Sequence, residues 1–200
     1  KLPVNVGELG VDLLSFSAHK MYGPKGVGAL FTRRGSPAVR LDPQIEGGGQ
    51  EGGRRSGTLN VPGIVGLATA LQLCVAEMPS EGERLRHLRD LLFRRITESV
   101  EDVQLNGPTL DDPAVRLTGN LNCSFANVDG EALMMSMQDL AVSSGSACTS
   151  SNPEPSHVLR ALGLNDYLVR ASLRFGIGRF NTEQEVDFAV ECVVDAVSRL

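Results

Sequence analysis

The 200-residue sequence has no excess of positive charge: 19 Lys and Arg stand against 24 Asp and Glu, a net charge of −5. That excludes the basic footprint of a nucleic-acid binder or of a protein held on an anionic membrane, and leaves only local clusters such as Arg54-Arg55 as anion sites. No apolar run approaches the roughly 18–20 residues that span a bilayer, so no membrane partner is expected. No signal-peptide pattern is present, and because the sequence opens on Lys1 it stays compatible with an upstream targeting segment. Cysteine is scarce. Cys74, Cys123, Cys148 and Cys192 are scattered without a C-x-x-C pair, which argues against a zinc knuckle or a disulfide framework and for a reducing, cytoplasmic setting, organellar if a targeting segment precedes Lys1. Internal repeats and low-complexity segments are absent too.

What is present is an interleaving of strand and helix patterns, which predicts an α/β chain. Two apolar runs, Val11–Phe16 and Gly26–Phe31, flank the turn Ser17-Ala18-His19-Lys20-Met21-Tyr22-Gly23-Pro24-Lys25 and read as strand, turn, strand with buried strands. A lysine at such a strand end, desolvated, becomes the free amine that can hold an aldehyde cofactor. The polar stretch 42–58 is long enough to be a functional loop. Its Gly47-Gly48-Gly49-Gln50-Glu51-Gly52 matches G-x-G-x-x-G formally, but no strand precedes it and no helix starts on it. Residues Arg54–Thr58 read equally as an anion loop or as a solvated tip.

Helices follow. Asn60 with Pro62 caps one that runs to Met78, and the Ser80…Glu83 capping box opens a second with Leu85, Leu88, Leu92 and Ile96 on one face. A short strand at Val103, an alternating strand from Leu117 to Phe125, a helix from Asp129, a short helix from Ser156, a strand from Ala171 to Phe175 and a helix opened by Thr182…Glu185 complete the pattern. Cys74, Cys123 and Cys192 read as small core residues. Cys148 stands apart, in a stretch from Ser143 to Ser156 with six serines and two prolines that reads as a mobile loop able to carry a nucleophile. Arg174 lies opposite Leu173 and Phe175 on its strand and can bind a carboxylate. Asn122-Cys123-Ser124 matches a glycosylation acceptor but falls inside a strand.

Taken together, SFSAHKMYGPKG (15–26), GGGQE (47–51), RSGT (55–58), SSGSAC (143–148) and LRFG (173–176) resemble the NifS/IscS-type cysteine desulfurases of the class V aminotransferase family. The resemblance implies the fold type I, aspartate-aminotransferase-like fold, with residues 1–78 as the end of the large cofactor domain and 79–200 as the small C-terminal domain. It implies that Lys20 holds pyridoxal 5'-phosphate covalently, that Ser17 and His19 bind its phosphate, and that Thr58 reaches the phosphate of a homodimer partner. By the same resemblance Arg174 pairs with the carboxylate of L-cysteine. Cys148 accepts the sulfur, passes it to an iron–sulfur scaffold or another acceptor protein, and serves as a transient iron–sulfur ligand. The resemblance covers the later part of the family's chain, so the residues that meet the pyridine ring are expected upstream of Lys1. An aminotransferase or selenocysteine lyase would keep Lys20 and Arg174 without needing Cys148, and an inactive protein-binding module would use the Cys148 loop only for protein contact or cluster ligation.

Overall fold

The computed structural model describes residues 1–35, 37–112, 115–144 and 155–200, which divide into two compact units, Lys1–Met78 and Pro79–Leu200. In the first, α1 (Val6–Leu9) is capped by Asn5, whose Oδ1 accepts from the Gly7 N–H at 3.0 Å, and ends at Gly10 in the left-handed region. Strands β1 (Leu13–Ser17) and β2 (Gly28–Thr32) then pair antiparallel, with Leu13 opposite Thr32 and Ser17 opposite Gly28. Glycine is required at 28: a Cβ there would stand 2.5 Å from the Phe16 carbonyl oxygen.

α2 (Val61–Ser99) crosses the boundary between the units with Pro79 inside it. Asn60 starts it as expected, accepting from the Gly63 N–H at 3.1 Å. Two separate helices are not formed, and Ser80…Glu83 lies within α2 rather than opening a helix. The missing N–H of Pro79 costs one ladder bond, which helix-forming residues on both sides can absorb. An 18-residue window of α2 has a mean hydropathy of 1.6 and is 11% buried. By length and composition α2 could therefore cross a membrane, against the sequence expectation. Thr69, Gln72 and Glu77 interrupt a continuous run without lowering the average much.

The second unit holds the hydrophobic core. β3 (Val103–Leu105), β4 (Asn120–Phe125) and β5 (Ser172–Gly176) form an antiparallel sheet in the order β3-β4-β5. Leu121, Cys123, Phe125, Leu173 and Phe175 on one face of that sheet join Leu85, Leu88, Leu92 and Ile96 of α2 in one apolar cluster. Between β4 and β5 come α3 (Gly130–Ser136), α4 (His157–Ala161) and α5 (Asp166–Arg170), capped by Asp129, Ser156 and Asn165. α6 (Glu183–Ser198) adds Val186, Ala189, Val193 and Ala196 to the core. Its expected capping box is present: Thr182 Oγ1 accepts from the Glu185 N–H, and Glu185 Oε2 accepts from the Thr182 N–H at 2.9 Å. β4 starts at Asn120 rather than Leu117, because the Asn120 N–H turns back to the Leu117 carbonyl.

Candidate active site

The turn that carries Lys20 is held from three sides. The Ala18 N–H donates to Val27, the Gly23 N–H donates to Ala18, and the Cys74 thiol of α2 donates to the Met21 carbonyl at 3.4 Å. Ala18 is fully buried, and the Ala18–Met21 segment coils as a 3-10 turn closed by Tyr22 at φ 62°. His19 and Lys20 are both exposed. The expected burial of Lys20 is thus not met. β1 and β2 make only a two-stranded sheet in which Leu13 and Leu30 are themselves exposed, so this stretch of chain does not desolvate the amine.

The 42–58 loop is closed on itself. Ser56 is buried and its hydroxyl donates to the Gly48 carbonyl at 2.6 Å. The Ser56 N–H donates to Ile45, the Gly57 N–H to Gln50 Oε1, and Arg55 Nη1 to the Gly57 and Thr58 carbonyls. Two N–H groups and one hydroxyl that an anion loop would aim at a ligand are therefore used internally, and Thr58 follows them exposed. Gln50–Gly53 is a 3-10 turn with Glu51 at φ 50°, in keeping with the rejection of a dinucleotide fingerprint. Ser17, His19, Lys20 and Thr58 make no side-chain hydrogen bond or ion pair among the described residues. The first three share one turn, and Thr58 stands on the separate loop.

Arg174 is half-buried on β5 between the buried Leu173 and Phe175, as the alternation predicts. Its backbone pairs with Ser143: the Arg174 N–H donates to the Ser143 carbonyl at 2.6 Å, and the Ser143 N–H donates back at 3.3 Å. Cys148 and the rest of 145–154 lie outside the described residues; Ser143, five residues before Cys148, is bridged to β5. Sequence reading missed the polar layer on the face of the sheet that also carries Arg174. Asn106, Ser124 and Ser172 are buried there and bonded to one another and to Asn122. Arg116, also buried, caps the Asn106 carbonyl at 2.6 Å. The only signal was polar residues alternating at 120, 122 and 124, which a solvated face would also give. Asn122 lies inside β4, in keeping with its rejection as a glycosylation acceptor.

Of the cysteines, Cys123 is fully buried, which pushes its thiol up to about 12, with Arg116 opposing the rise. Cys192 is half-buried and packs against the core of the second unit, and Cys74 is half-buried on α2. Burial, then Asp139, Asp195 and Glu191, raise the Cys192 thiol. No group of three metal-ligating side chains occurs among the described residues.

The chain belongs to the aminotransferase class V family, which matches residues 1–188 and whose members are pyridoxal phosphate enzymes. Within it, the chain is 55% identical over all 200 residues to a protein named cysteine desulfurase IscS from Aeromonas hydrophila, and 50% identical to one of that name from Rickettsia bellii. It spans about half the length of these relatives, 48% in both cases. Among solved structures, a NifS-like protein superposes with a TM-score of 0.83 at 34% identity, covering all of this chain and 50% of its own. DndA from Streptomyces lividans superposes at 0.65 with 37% identity, covering 84% of this chain and 46% of its own. The fold is accordingly that of fold type I pyridoxal phosphate enzymes. The residues present fit that cofactor: an exposed primary amine for its aldehyde, and hydroxyls and an imidazole for its phosphate, all without other partners among the described residues.

Proposed function

We propose that the whole protein carrying this chain is a cysteine desulfurase that moves sulfur from L-cysteine to Cys148 and leaves L-alanine. The observation that carries this reading is the Ser143–Arg174 pairing. It joins the strand position suited to a substrate carboxylate to the root of the segment that holds the candidate acceptor thiol. Cys148 is five residues past Ser143, so the chain tethers it within about 18 Å of that root. The likeness to proteins named cysteine desulfurase across the full chain supports the same conclusion.

In this reading Lys20 holds pyridoxal phosphate, with Ser17 and His19 on its phosphate. When bound, the cofactor stores the electron pair that substrate Cα releases. Arg174 fixes the carboxylate bidentately, and Lys20 takes the Cα proton and returns it. The Cys148 thiolate attacks the substrate sulfur. An S–S bond forms, the substrate Cβ–S bond breaks, and the carbon is protonated, so cysteine and a thiol become alanine and a persulfide. The exposed Thr58 hydroxyl, on a loop apart from its own Lys20 turn, suits a phosphate contact across a homodimer. An iron–sulfur scaffold or another sulfur carrier would take the persulfide sulfur, with Cys148 a transient cluster ligand. Cys123 and Cys192, in no disulfide among the described residues, suit a cytoplasmic setting.

The test is Cys148→Ala in the full-length protein. Sulfide release from L-cysteine in the presence of a reductant should disappear while the cofactor absorbance, lost in Lys20→Ala, persists. Sulfide and alanine at the wild-type rate would refute the proposal.

A further inference from the structure

The polar layer behind Arg174 has a proton order that can be worked out from one end. The Ser172 hydroxyl has a single proton, and it donates to the Leu168 carbonyl of α5 at 2.6 Å. The atom of Asn106 that faces Ser172 at 3.0 Å must therefore be the donor, its Nδ2. That same Nδ2 faces Asn122 at 2.7 Å, so Asn122 turns its Oδ1 to it. The Asn106 Oδ1 in turn accepts from the Ser124 hydroxyl at 2.9 Å. A helix carbonyl thus fixes each amide in sequence. At the end of the chain stands the Asn122 carboxamide, with its Nδ2 free of hydrogen bonds among the described residues.

Asn122 is the register partner of Arg174. Its carbonyl bonds toward β3, accepting from the Asn106 N–H, whereas both backbone groups of Arg174 bond to Ser143 on the other side. The two residues therefore form a non-hydrogen-bonded pair, the closer kind, with Cα atoms about 4.5 Å apart and side chains on one face of the sheet. Both are half-buried, so a solute can reach them, and the Arg174 guanidinium has no hydrogen-bond or ion-pair partner among the described residues. Two donor groups without a hydrogen-bond partner among the described residues thus stand side by side on one face of the sheet, an arrangement that suits an anion of carboxylate size.

We propose that Asn122 is a second ligand of the substrate carboxylate, donating from Nδ2 beside the Arg174 guanidinium. This rests on the reading of Arg174 as the carboxylate partner. The sharp variant is Asn122→Asp, which keeps the acceptor that Asn106 needs and replaces the donor with a repelling charge. Asn122→Ala removes the donor without adding charge and decides the matter if the aspartate variant does not fold.

The measurement is binding of L-alanine and of neutral L-alaninamide to the full-length holoenzyme, titrated in the cofactor absorbance. Loss of a hydrogen bond to a charged group should weaken L-alanine at least about tenfold in either variant, with a smaller change for the amide. Equal weakening of both compounds would mark a structural lesion and overturn the proposal, as would unchanged L-alanine binding. Arg174→Ala separates the two levels. If it abolishes the preference for L-alanine while the Asn122 variants keep it, only the role of Asn122 fails; if it keeps the preference, the reading of Arg174 fails with it.

Discussion

Truncating the buried polar layer should show a coupling that its proton count fixes in advance. Ser124 has one proton and two acceptors at 2.9 Å, Asn106 Oδ1 and Ser172 Oγ. In Asn106→Ala the Ser124 proton can go wholly to Ser172, so neither buried serine is stranded, and the cost is the half-buried Asn122 oxygen plus lost packing, about 2 kcal/mol. In Ser124→Ala the Asn106 Oδ1 loses the single donor it has, and a buried acceptor left unsatisfied costs about 2 kcal/mol. In the double variant that acceptor no longer exists. The pair should then cost roughly 3 kcal/mol rather than 4, a coupling of at least about 1 kcal/mol. Urea unfolding of the full-length protein, followed by far-ultraviolet circular dichroism, measures each value provided m stays constant. Additivity within about 0.3 kcal/mol, or a negligible cost for Ser124→Ala, would refute the assigned hydrogen-bond order.

The Cys123 thiol, pushed up to about 12 in the fold, should resist alkylation of the native protein at pH 8, and mass mapping after a timed pulse would expose an error if it labels as fast as Cys192. Because its folded pKa lies above the unfolded value, the Cys123 contribution to stability is complete below pH ~9 and is lost between about 9 and 12. Urea midpoints that stay level across that window, after correction with Cys123→Ala, would contradict this sign. Gly28→Val places a Cβ against the Phe16 carbonyl at the register position of Ser17. The full-length protein should then retain less cofactor per chain by absorbance, and full occupancy would show that the β1–β2 pairing does not hold the Lys20 turn.

Local chemistry was legible wherever a side chain acts on its own backbone. Asn60, Asp129, Ser156 and Thr182 start helices as their types predict, because a cap needs only neighbours within three residues. Ser80…Glu83 has the same pattern and starts nothing, since α2 is already helical on its N-terminal side. The alternation at Leu121, Cys123 and Phe125 gave the core face, and Leu173 and Phe175 gave the orientation of Arg174. What escaped was everything that depends on which element covers which. Lys20 was expected to be buried by flanking strands that turn out to be half open. The partners of Asn106, as far off as Ser172, lie beyond any local pattern.

Arg174 itself explains why its strand keeps one register. A slip by one residue would carry the guanidinium into the face now filled by Leu173 and Phe175 and turn those two side chains outward. Burying an unpaired charge costs several kcal/mol, and exposing two large apolar side chains costs about 2 kcal/mol each. Both penalties point the same way, so the arginine that serves as the candidate ligand also locks the position from which it binds. Ser143, five residues before Cys148, pairs with that same residue. On the proposed function, a substrate carboxylate held by Arg174 and the residue from which the chain runs on to Cys148 would share one frame. In that arrangement, variants that loosen the β4–β5 register should impair carboxylate binding and sulfur transfer together, whereas changes confined to residue 148 should impair transfer alone.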